Sequence, residues 1–288
     1  MRPLSALGEI VTDGATVAIG GTWLSARPMA AVRQLIRARC TGLRIVSLTG
    51  SLDVDLLVGA EAAERVAFCF VSLGAFGLAP RFRRALEDGT IAAEEHSGHG
   101  LTTALEAASR GLDFLPFYGP VGTSLADRYR TIASPISGRP VQIAEAIAPD
   151  VCILHADAAT SEGHVLLAPT VGVDVITARA ADSVVVTAER LVDELPHCGG
   201  QYLSPANVDH VMEVPWGAYP LAFVPHYGMD WRALLAYADA AGTGRGFDNW
   251  LAANIGDSEE DVLRLLDEQT RARLRRSGSP QAEETDTE

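Results

Sequence analysis

The chain has 288 residues, with 37 acidic residues against 23 basic ones and a formal net charge of −14. This charge argues against a protein that follows the phosphates of a nucleic acid, because such proteins need a basic face. All 23 basic residues are arginine, which excludes Schiff-base catalysis and a Walker-type phosphate loop, since both need lysine.

The N-terminus lacks the long apolar core of a signal peptide, and no apolar run is long enough to span a bilayer. The four cysteines, Cys40, Cys69, Cys152 and Cys198, are widely spaced and form no CxxC pair. We therefore expect buried, reduced thiols in a cytoplasmic protein that has no membrane or nucleic-acid partner.

Short apolar runs rich in β-branched residues alternate with amphipathic segments along most of the chain. The run "ATVAIGG" predicts a strand that ends in a glycine turn, and "RPMAAVRQLIRARC" predicts a helix after it. Further strands are predicted at "LRIVSLTG", "RVAFCFVSL", "VCILHAD", "DSVVVTAERLV" and "VDHVMEVPWGA", and further helices at "LDVDLLVGA", "PRFRRALEDGT" and "LTTALEAASRG". Nearly continuous apolar strands are typical of an α/β protein with an open, mostly parallel sheet and flanking helices.

The C-terminal region is predicted to end the domain. The segment "SEEDVLRLLDEQTRARLRR" is typical of one capped helix, with Ser258 before an acidic first turn and arginines in the last turn. The polar, acidic residues 276–288 show no periodicity and are predicted to form a disordered tail. Residues 1–275 are therefore expected to form one domain.

The turn "IGGTWLSARPMA" joins a predicted strand to a predicted helix. Gly20 and Gly21 allow a ligand to approach the backbone, and a helix N-terminus offers free N–H groups to an anion. Arg27 lies at the same turn, where it could meet a carboxylate or a phosphate. The alternative is that the two glycines only make a tight turn.

The stretch "AAEEHSGHG" allows three interpretations. His96 and His99 have the spacing of half a metal site, but Gly98 and Gly100 argue against a regular helix there, and no further ligands are apparent. No metal is therefore expected. Glu95, at a strand end before a helix, could be a catalytic carboxylate. The acids could also simply favour the dipole of the following helix.

Two more segments have residues suited to ligand binding. In "FYGPVGTSL", Gly119, Gly122 and Thr123 could present backbone N–H groups. In "HADAATSEGHVLL", His155 and Asp157 come at the end of a strand, where open α/β sheets bind ligands.

From about Ile10 to Ala241, the segments resemble, in order and spacing, the A (alpha) subunits of family I coenzyme A transferases. The resemblance rests on "VAIGGTWLSARPMA", "VAFCFVSL", "EEHSGHGLTTALEAASRGLDFLPFYGPVGTSL", "HADAATSEGH", "VVVTAERLVDEL" and "VDHVMEVPWGAYP". Glutaconate-type and 3-oxoacid-type transferases are similar, and so are the A subunits of steroid-ring-opening CoA hydrolases. The resemblance implies a NagB–RpiA-like fold.

The resemblance also implies site residues and a partner. Glu95 matches the glutamate proposed to be catalytic in the hydrolase A subunits, and Tyr118 stands where those hydrolases have an arginine. A coenzyme A thioester is the implied substrate, no tightly bound cofactor is implied, and a homologous B subunit completes an A2B2 assembly. Residues expected to contact the acyl or CoA group are Gly20, Gly21, Arg27, Tyr118, Gly119, Gly122 and Thr123.

Three functions follow from the resemblance. In the first, the chain is the A subunit of a transferase whose acyl–CoA-forming glutamate lies in the B subunit. Glu162 in "TSEGH" is therefore not assigned as that nucleophile. In the second, the chain is the A subunit of a ring-opening CoA-thioester hydrolase, with Glu95 as the general base. In the third, it is a non-catalytic scaffold.

Overall fold

The structure is a computed structural model that describes residues 2–169, 172–198 and 200–278. Its centre is a nine-stranded sheet in which β12, β10, β8, β1, β2, β3 and β4 lie side by side and run parallel. These strands are β1 (Thr16–Ile19), β2 (Leu43–Gly50), β3 (Ala63–Val71), β4 (Ala92–Glu95), β8 (Val151–Ala159), β10 (Ser183–Leu191) and β12 (His210–Glu213). The open, mostly parallel sheet confirms the predicted fold class.

Two short antiparallel strands extend this sheet at the carboxyl end of β8. They are β9 (Val165–Leu167), which pairs with β8, and β11 (Tyr202–Leu203), which pairs with β9. Because β9 pairs with the last residues of β8 and β1 with the first, β1 ends early, at the Gly20–Gly21 turn.

A second, three-stranded antiparallel sheet was not predicted from the sequence. Its order is β5-β7-β6, with strands β5 (Phe114–Phe117), β6 (Thr131–Ala133) and β7 (Pro140–Glu145). It follows the helix α5 (Gly98–Ser109) and packs beside it through residues such as Phe117 and Ile147, which belong to the same core cluster as Leu101 and Ala104.

Helices cover both faces of the large sheet, because its strands are apolar on both sides. Helix α5 and α6 (Asp174–Ala180) cover one face, over a core that includes Ala18, Val46 and Leu154. The other face carries a core of Val17, Ile45 and their neighbours. The helices beside it include α1 (Leu7–Ile10), α2 (Met29–Arg37), α3 (Leu52–Gly59), α4 (Pro80–Glu87), α7 (Trp231–Ala241) and α8 (Gly244–Asn254).

The C-terminal region consists of two helices where the sequence predicted one. Helix α9 (Glu259–Arg264) begins at a complete capping box formed by Ser258 and Asp261, and helix α10 runs over Glu268–Gly278. The break at residues 265–267 lets Leu266 and Leu274 pack against the segment that contains Trp216 and Tyr227. Residues 276–278 of the predicted tail belong to α10, and residues 279–288 lie outside the described residues.

Within the described ranges, no helix has the length and apolar character needed to cross a membrane. The four cysteines are all free; Cys40 and Cys152 are buried, Cys69 is half-buried and Cys198 is exposed, so the predicted burial is wrong for Cys198.

A buried ion-pair network joins the C-terminal helix α9 to helix α2, which packs on the large sheet. Arg33 and Arg37 of α2 both bind the carboxylate of Glu259, and the three side chains are 4%, 8% and 12% exposed. Burial alone would raise the pKa of Glu259, but the two guanidinium groups hold this pKa below its usual value. A carboxyl with a lowered pKa stabilises the fold above its unfolded pKa and loses that contribution as the pH falls.

We therefore predict that Glu259→Ala lowers the free energy of unfolding by about 2–3 kcal/mol at neutral pH, because it leaves two buried arginines without their carboxylate. Urea denaturation at pH 7 and at pH 4 measures this effect, which should be smaller at pH 4. The matched control is Glu260→Ala, because Glu260 follows on the same helix and is exposed. Equal losses in the two variants would contradict the assignment.

Candidate active site

The carboxyl ends of β1, β2, β3 and β4 meet at one edge of the large sheet. These strands are neighbours and run parallel, so the turn after Ile19 and the last residue of β4, Glu95, share that edge. Strands β1 and β4 are separated by three strand spacings, so the turn and Glu95 are about 14 Å apart along the edge. This is the edge at which open α/β sheets bind their ligands.

Glu95 ends β4 with an exposed side chain, as the sequence predicted for a strand-end carboxylate. It pairs with Phe68 of β3, and the ladder closes with the bond from the His96 N–H to the Phe68 carbonyl, at 2.8 Å. Among the described residues, no cationic side chain forms an ion pair with Glu95. Its carboxylate therefore faces solvent and is free to act on a bound molecule.

Cys69 lies next to Glu95 and to the first turn of α5. Burial raises the pKa of the Cys69 thiol, the N–H of Gly98 lowers it, and the negative charge of Glu95 raises it further. The thiol is therefore held in its protonated form beside the carboxylate, so it is not an activated nucleophile.

Glu94 has the opposite environment, although it precedes Glu95 directly. Its carboxylate is 2.6 Å from Arg44, 3.1 Å from Arg65 and 3.8 Å from Arg128, and its side chain is 12% exposed. Burial would raise the pKa of Glu94, but hydrogen bonds and the charges of Arg44 and Arg65 bring it below its usual value. Glu94 is thus an ion-pair residue, which resolves the question of its role that the sequence left open.

His96 is held as a neutral ring by its neighbours. An Arg128 amino group lies 2.9 Å from its Nε2, and the Arg128 Nε–H donates to its Nδ1 at 3.4 Å, where the Tyr129 hydroxyl also lies 3.3 Å away. Because a guanidinium group can only donate, Arg128 disfavours a second proton on this ring. Burial lowers the pKa of His96 to about 4, and the charge of Arg128 lowers it in the same direction.

Neither histidine is arranged to bind a metal. His96 is engaged by Arg128, and the His99 ring packs edge-on against Phe117, with 5.3 Å between ring centroids. Across residues 2–169, 172–198 and 200–278, no three His, Cys, Asp or Glu side chains are gathered so that they could hold a metal ion.

The glycines of "HSGHG" start a helix, contrary to the prediction that they oppose one. Helix α5 begins at Gly98, and the Ser97 side chain caps it by accepting from the Gly100 N–H at 3.0 Å. Position 100 must be a glycine because the Tyr129 side chain lies directly against it: a Cβ there would be 2.1 Å from the Tyr129 hydroxyl oxygen. That hydroxyl accepts the Ser97 N–H, at 3.1 Å, and so ties the second sheet to the helix start.

The predicted loop residues Tyr118, Gly119, Gly122 and Thr123 follow β5, near the start of α5. Phe117, which precedes them, contacts the rings of both His99 and Tyr129. Tyr118 is 60% exposed and its hydroxyl accepts from Arg139 at 3.2 Å. Gly119 has no room for a side chain, because a Cβ would meet the amide oxygen of Gln142.

The rest of this loop is open. Gly122 has a positive φ of 78° and nothing within reach of a Cβ, and the Thr123 hydroxyl donates to the Pro120 carbonyl at 2.8 Å. An exposed, turn-rich loop of this kind beside a helix start suits contact with a substrate.

The Gly20–Gly21 turn does not offer free N–H groups, so this part of the sequence interpretation is corrected. The Gly20 N–H donates to the Ile153 carbonyl at 2.9 Å, and the Gly21 N–H donates to the carboxylate of Asp174 at 3.0 Å. Burial raises the pKa of Asp174, and the Gly21 N–H opposes this. The turn itself is as tight as the alternative interpretation expected: a Cβ at Gly21 would lie 2.5 Å from the Ala26 carbonyl oxygen.

Arg27 also has a different role from the predicted one. It is fully buried and forms an ion pair with buried Asp53 at 3.3 Å. Its remaining donors go to the Trp23, Ile19, Gly20 and Thr49 carbonyls and to the Ser47 and Thr49 hydroxyls. With every N–H used inside the protein, Arg27 stabilises the turn and does not reach a ligand.

His155 and Asp157 do not face an open edge either. His155 is fully buried, 2.8 Å from the carboxylate of Glu189 and 2.9 Å from Thr187. Asp157 binds His226 at 2.8 Å. Residues 216–227 cover this part of the edge, since Trp216 and Tyr227 also donate to Glu189.

Sequence reasoning missed two aromatic residues at the edge, Trp23 and Phe70. Each is 39% exposed, and their rings lie 6.2 Å apart in an edge-to-face arrangement. The signal for Trp23 is a large aromatic residue directly after a glycine turn. Phe70 gave no such signal, because it continues an apolar strand.

The fold and this edge define the class of protein. A sequence profile of the coenzyme A transferases matches residues 2–199, and the chain belongs to that family. This confirms the resemblance found in the sequence. The crystal structure of glutaconate coenzyme A-transferase from Acidaminococcus fermentans superposes with a TM-score of 0.90 and 25% identity, covering 95% of this chain and 94% of that one.

Two relatives bear different activities in their names. The A subunit of the 3-oxoadipate CoA-transferase of Pseudomonas knackmussii is 30% identical over 262 residues, which cover 88% of this chain and 93% of the relative. The cholesterol ring-cleaving hydrolase IpdA subunit of Rhodococcus jostii is 30% identical over 275 residues, which cover 89% and 91%. Both the transferase and the hydrolase expectation therefore have relatives of equal similarity.

The lowered pKa of His96 gives a pH prediction. Between pH 6.5 and about pH 4, the unfolded chain binds a proton at His96 and the folded chain does not, so stability is lost as the pH falls through this range. His96→Gln should remove roughly 2–3 kcal/mol of this acid-induced loss.

Urea denaturation at several pH values from 7 to 4 measures the difference. The control is His164→Gln, because that side chain is 51% exposed. If His96→Gln and wild type lose stability equally over this range, His96 is not the buried neutral group described.

Proposed function

We propose that the chain is the A subunit of a two-subunit enzyme that moves CoA between an acyl-CoA thioester and a carboxylic acid. The observation that carries this proposal is the similarity to coenzyme A transferases over nearly the whole chain, at a TM-score of 0.90. A homologous B subunit completes the active site, in an A2B2 assembly. Relatives named as the A subunits of such enzymes support the two-chain arrangement.

In this proposal, the B subunit supplies the glutamate that forms the covalent intermediate. Its carboxylate attacks the thioester carbonyl, the C–S bond breaks, and CoA leaves as the thiolate from a mixed anhydride. The thiolate then attacks the anhydride at the glutamyl carbonyl, which gives the glutamyl–CoA thioester and releases the acid. A second acid reverses these steps. The A chain contributes Glu95, the start of α5 and the loop from Tyr118 to Thr123, which contact the acyl thioester.

A second function is favoured by one observation, the free and exposed carboxylate of Glu95. A carboxylate without an ion pair is available as a general base, which can take a proton from water or from an acidic C–H of a cyclic thioester. The chain would then be the A subunit of a ring-opening CoA-thioester hydrolase, and the relative from Rhodococcus jostii that is named a cholesterol ring-cleaving hydrolase subunit supports a ring-cleaving activity. Water would be the acceptor in place of an acid.

We further propose that the protein works in the cytoplasm with a CoA thioester as substrate and no tightly bound cofactor. The four free cysteines support a reducing compartment.

Glu95 is tested in the complex obtained by co-expression with the proposed B subunit. Glu95→Gln keeps the shape of the side chain but removes the carboxylate, and we expect turnover to fall about 10²- to 10⁴-fold, as for loss of a general base. The control Glu162→Gln removes an acid whose side chain is 80% exposed, and it should leave turnover unchanged. Mass spectrometry of an acyl-CoA panel measures both variants.

The same assay separates the two functions. Transfer of an isotopically labelled acid into a new thioester indicates a transferase, and ¹⁸O from water in the acid product indicates a hydrolase. Unchanged turnover in Glu95→Gln would refute a general-base role for Glu95 and still allow the transferase, whose covalent glutamate lies in the B subunit. An active monomer without any B subunit would refute the two-chain proposal.

A further inference from the structure

The carboxyl edge carries a row of three side chains, Glu95, Phe70 and Trp23. Glu95 pairs with Phe68, and Phe70 lies two residues further along β3, so Phe70 and Glu95 project from the same face of the sheet. The Trp23 ring packs edge-to-face on Phe70, at 6.2 Å between centroids. We call Trp23 and Phe70 the aromatic wall.

The aromatic wall is held in place before any ligand binds. Trp23 has a left-handed backbone, with φ of 50°, which a bulky residue adopts only under strain. Its backbone N–H donates to the Thr49 hydroxyl at 3.0 Å, and its indole Nε1–H donates to the Ser72 carbonyl at 3.1 Å. Gly74 allows this close packing, because a Cβ there would lie 2.9 Å from the indole ring.

The aromatic wall leaves apolar surface exposed to solvent that the core does not bury. Both rings are 39% exposed, whereas Phe68, two residues before Phe70 on the same face, is 8% exposed and packs on Phe82. The strand thus changes from core packing at Phe68, the partner of Glu95, to an exposed ring two residues further along. A strained aromatic residue with its ring in solvent is typical of a contact kept for a ligand.

The charged groups near the aromatic wall indicate which kind of ligand can bind to it. Within the described parts of the chain, Glu95 has no cationic partner, and no guanidinium group stacks on the Trp23 or Phe70 ring. Arg27 touches the Trp23 carbonyl, but it is buried and its charge is paired with Asp53. A carboxylate at the far end of the acyl group would therefore lie against two aromatic rings on which no guanidinium group of the described residues stacks.

We propose that the aromatic wall binds the end of the acyl group remote from the thioester, and that this end is apolar, aliphatic or cyclic, and carries no carboxylate. This inference rests on the proposed function, because it takes Glu95 to mark the place of the reacting thioester. It names the substrate class of that site and makes Trp23 and Phe70 residues that determine specificity.

The test compares hexanoyl-CoA with adipyl-CoA, which have six-carbon acyl chains and differ in a terminal methyl or carboxylate. Dissociation constants for the complex of A and B subunits are measured by calorimetry. We expect hexanoyl-CoA to bind at least about 10-fold more tightly, since apolar contact with two rings is favourable and an unpaired carboxylate is not.

Variants of the wall test the residues themselves. Phe70→Ala should weaken hexanoyl-CoA binding about 10-fold and change adipyl-CoA binding less than about 2-fold, and Phe70→Leu should restore most of the loss because it keeps apolar area. Trp23→Ala should act in the same way. The matched control Trp231→Ala removes a tryptophan that is 47% exposed at the start of α7, and it should change neither constant.

Three results would overturn the inference: tighter binding of adipyl-CoA, equal effects of Phe70→Ala on both thioesters, or loss of the B subunit from the Phe70→Ala and Trp23→Ala complexes. The last result would assign the wall to the interface between the two chains. In each case, a strong effect of Glu95→Gln on turnover would leave the proposed function standing. If the complex binds and converts no CoA thioester, the proposed function and the inference fail together.

Discussion

The parallel pairing of β4 with β3 determines what the two adjacent glutamates do. Successive residues of a strand project to opposite faces, so Glu94 enters the arginine cluster beneath the second sheet while Glu95 reaches solvent at the carboxyl edge. A shift of one residue in the register would exchange them and place the Glu95 carboxylate among three arginines. The site therefore depends on backbone pairing before it depends on any side-chain contact.

Two further arrangements fix the surroundings of Glu95. On one side, Arg27 and Asp174 use buried charges to hold the turn after β1, from which Trp23 reaches over β2 to β3. On the other side, Tyr129 and Arg128 connect the second sheet to the start of α5. The candidate site thus lies between two borders, each held by side chains that bond within the protein.

The sequence predicted the large sheet well, because its strands are buried on both faces and give continuous apolar runs. The second sheet was missed because its two edge strands, β5 and β6, are short and largely exposed, and β5 contains Pro116, which suits its place at the edge of that sheet. The break before α10 was missed for a related reason: Leu266 follows the helical pattern, and only its contact with the 216–227 segment shows why the helix stops.

The position of a candidate site residue was predictable where the local sequence pattern determines it. It was not predictable where the residue's role depends on partners that are distant in sequence. Glu95 at a strand end is a local feature, and the structure has it there. The role of Arg27 depends on Ser47 and Asp53, which are 20 or more residues away in sequence, and an arginine beside a glycine turn gives no sign of such partners. Phe70 looks like any core residue of a strand until the end of the strand is known.

The way in which the turn after β1 is held has a consequence for the surface that the turn presents. Its backbone is fixed by Asp174, by Arg27 and by the Thr49 hydroxyl, all of which bind main-chain atoms of residues 19–23. The path of the loop is therefore held mainly by main-chain contacts, to which the Trp23 side chain adds one bond from its indole N–H to the Ser72 carbonyl. A smaller side chain at position 23 is therefore expected to change the surface of the carboxyl edge while the loop that carries it keeps its path.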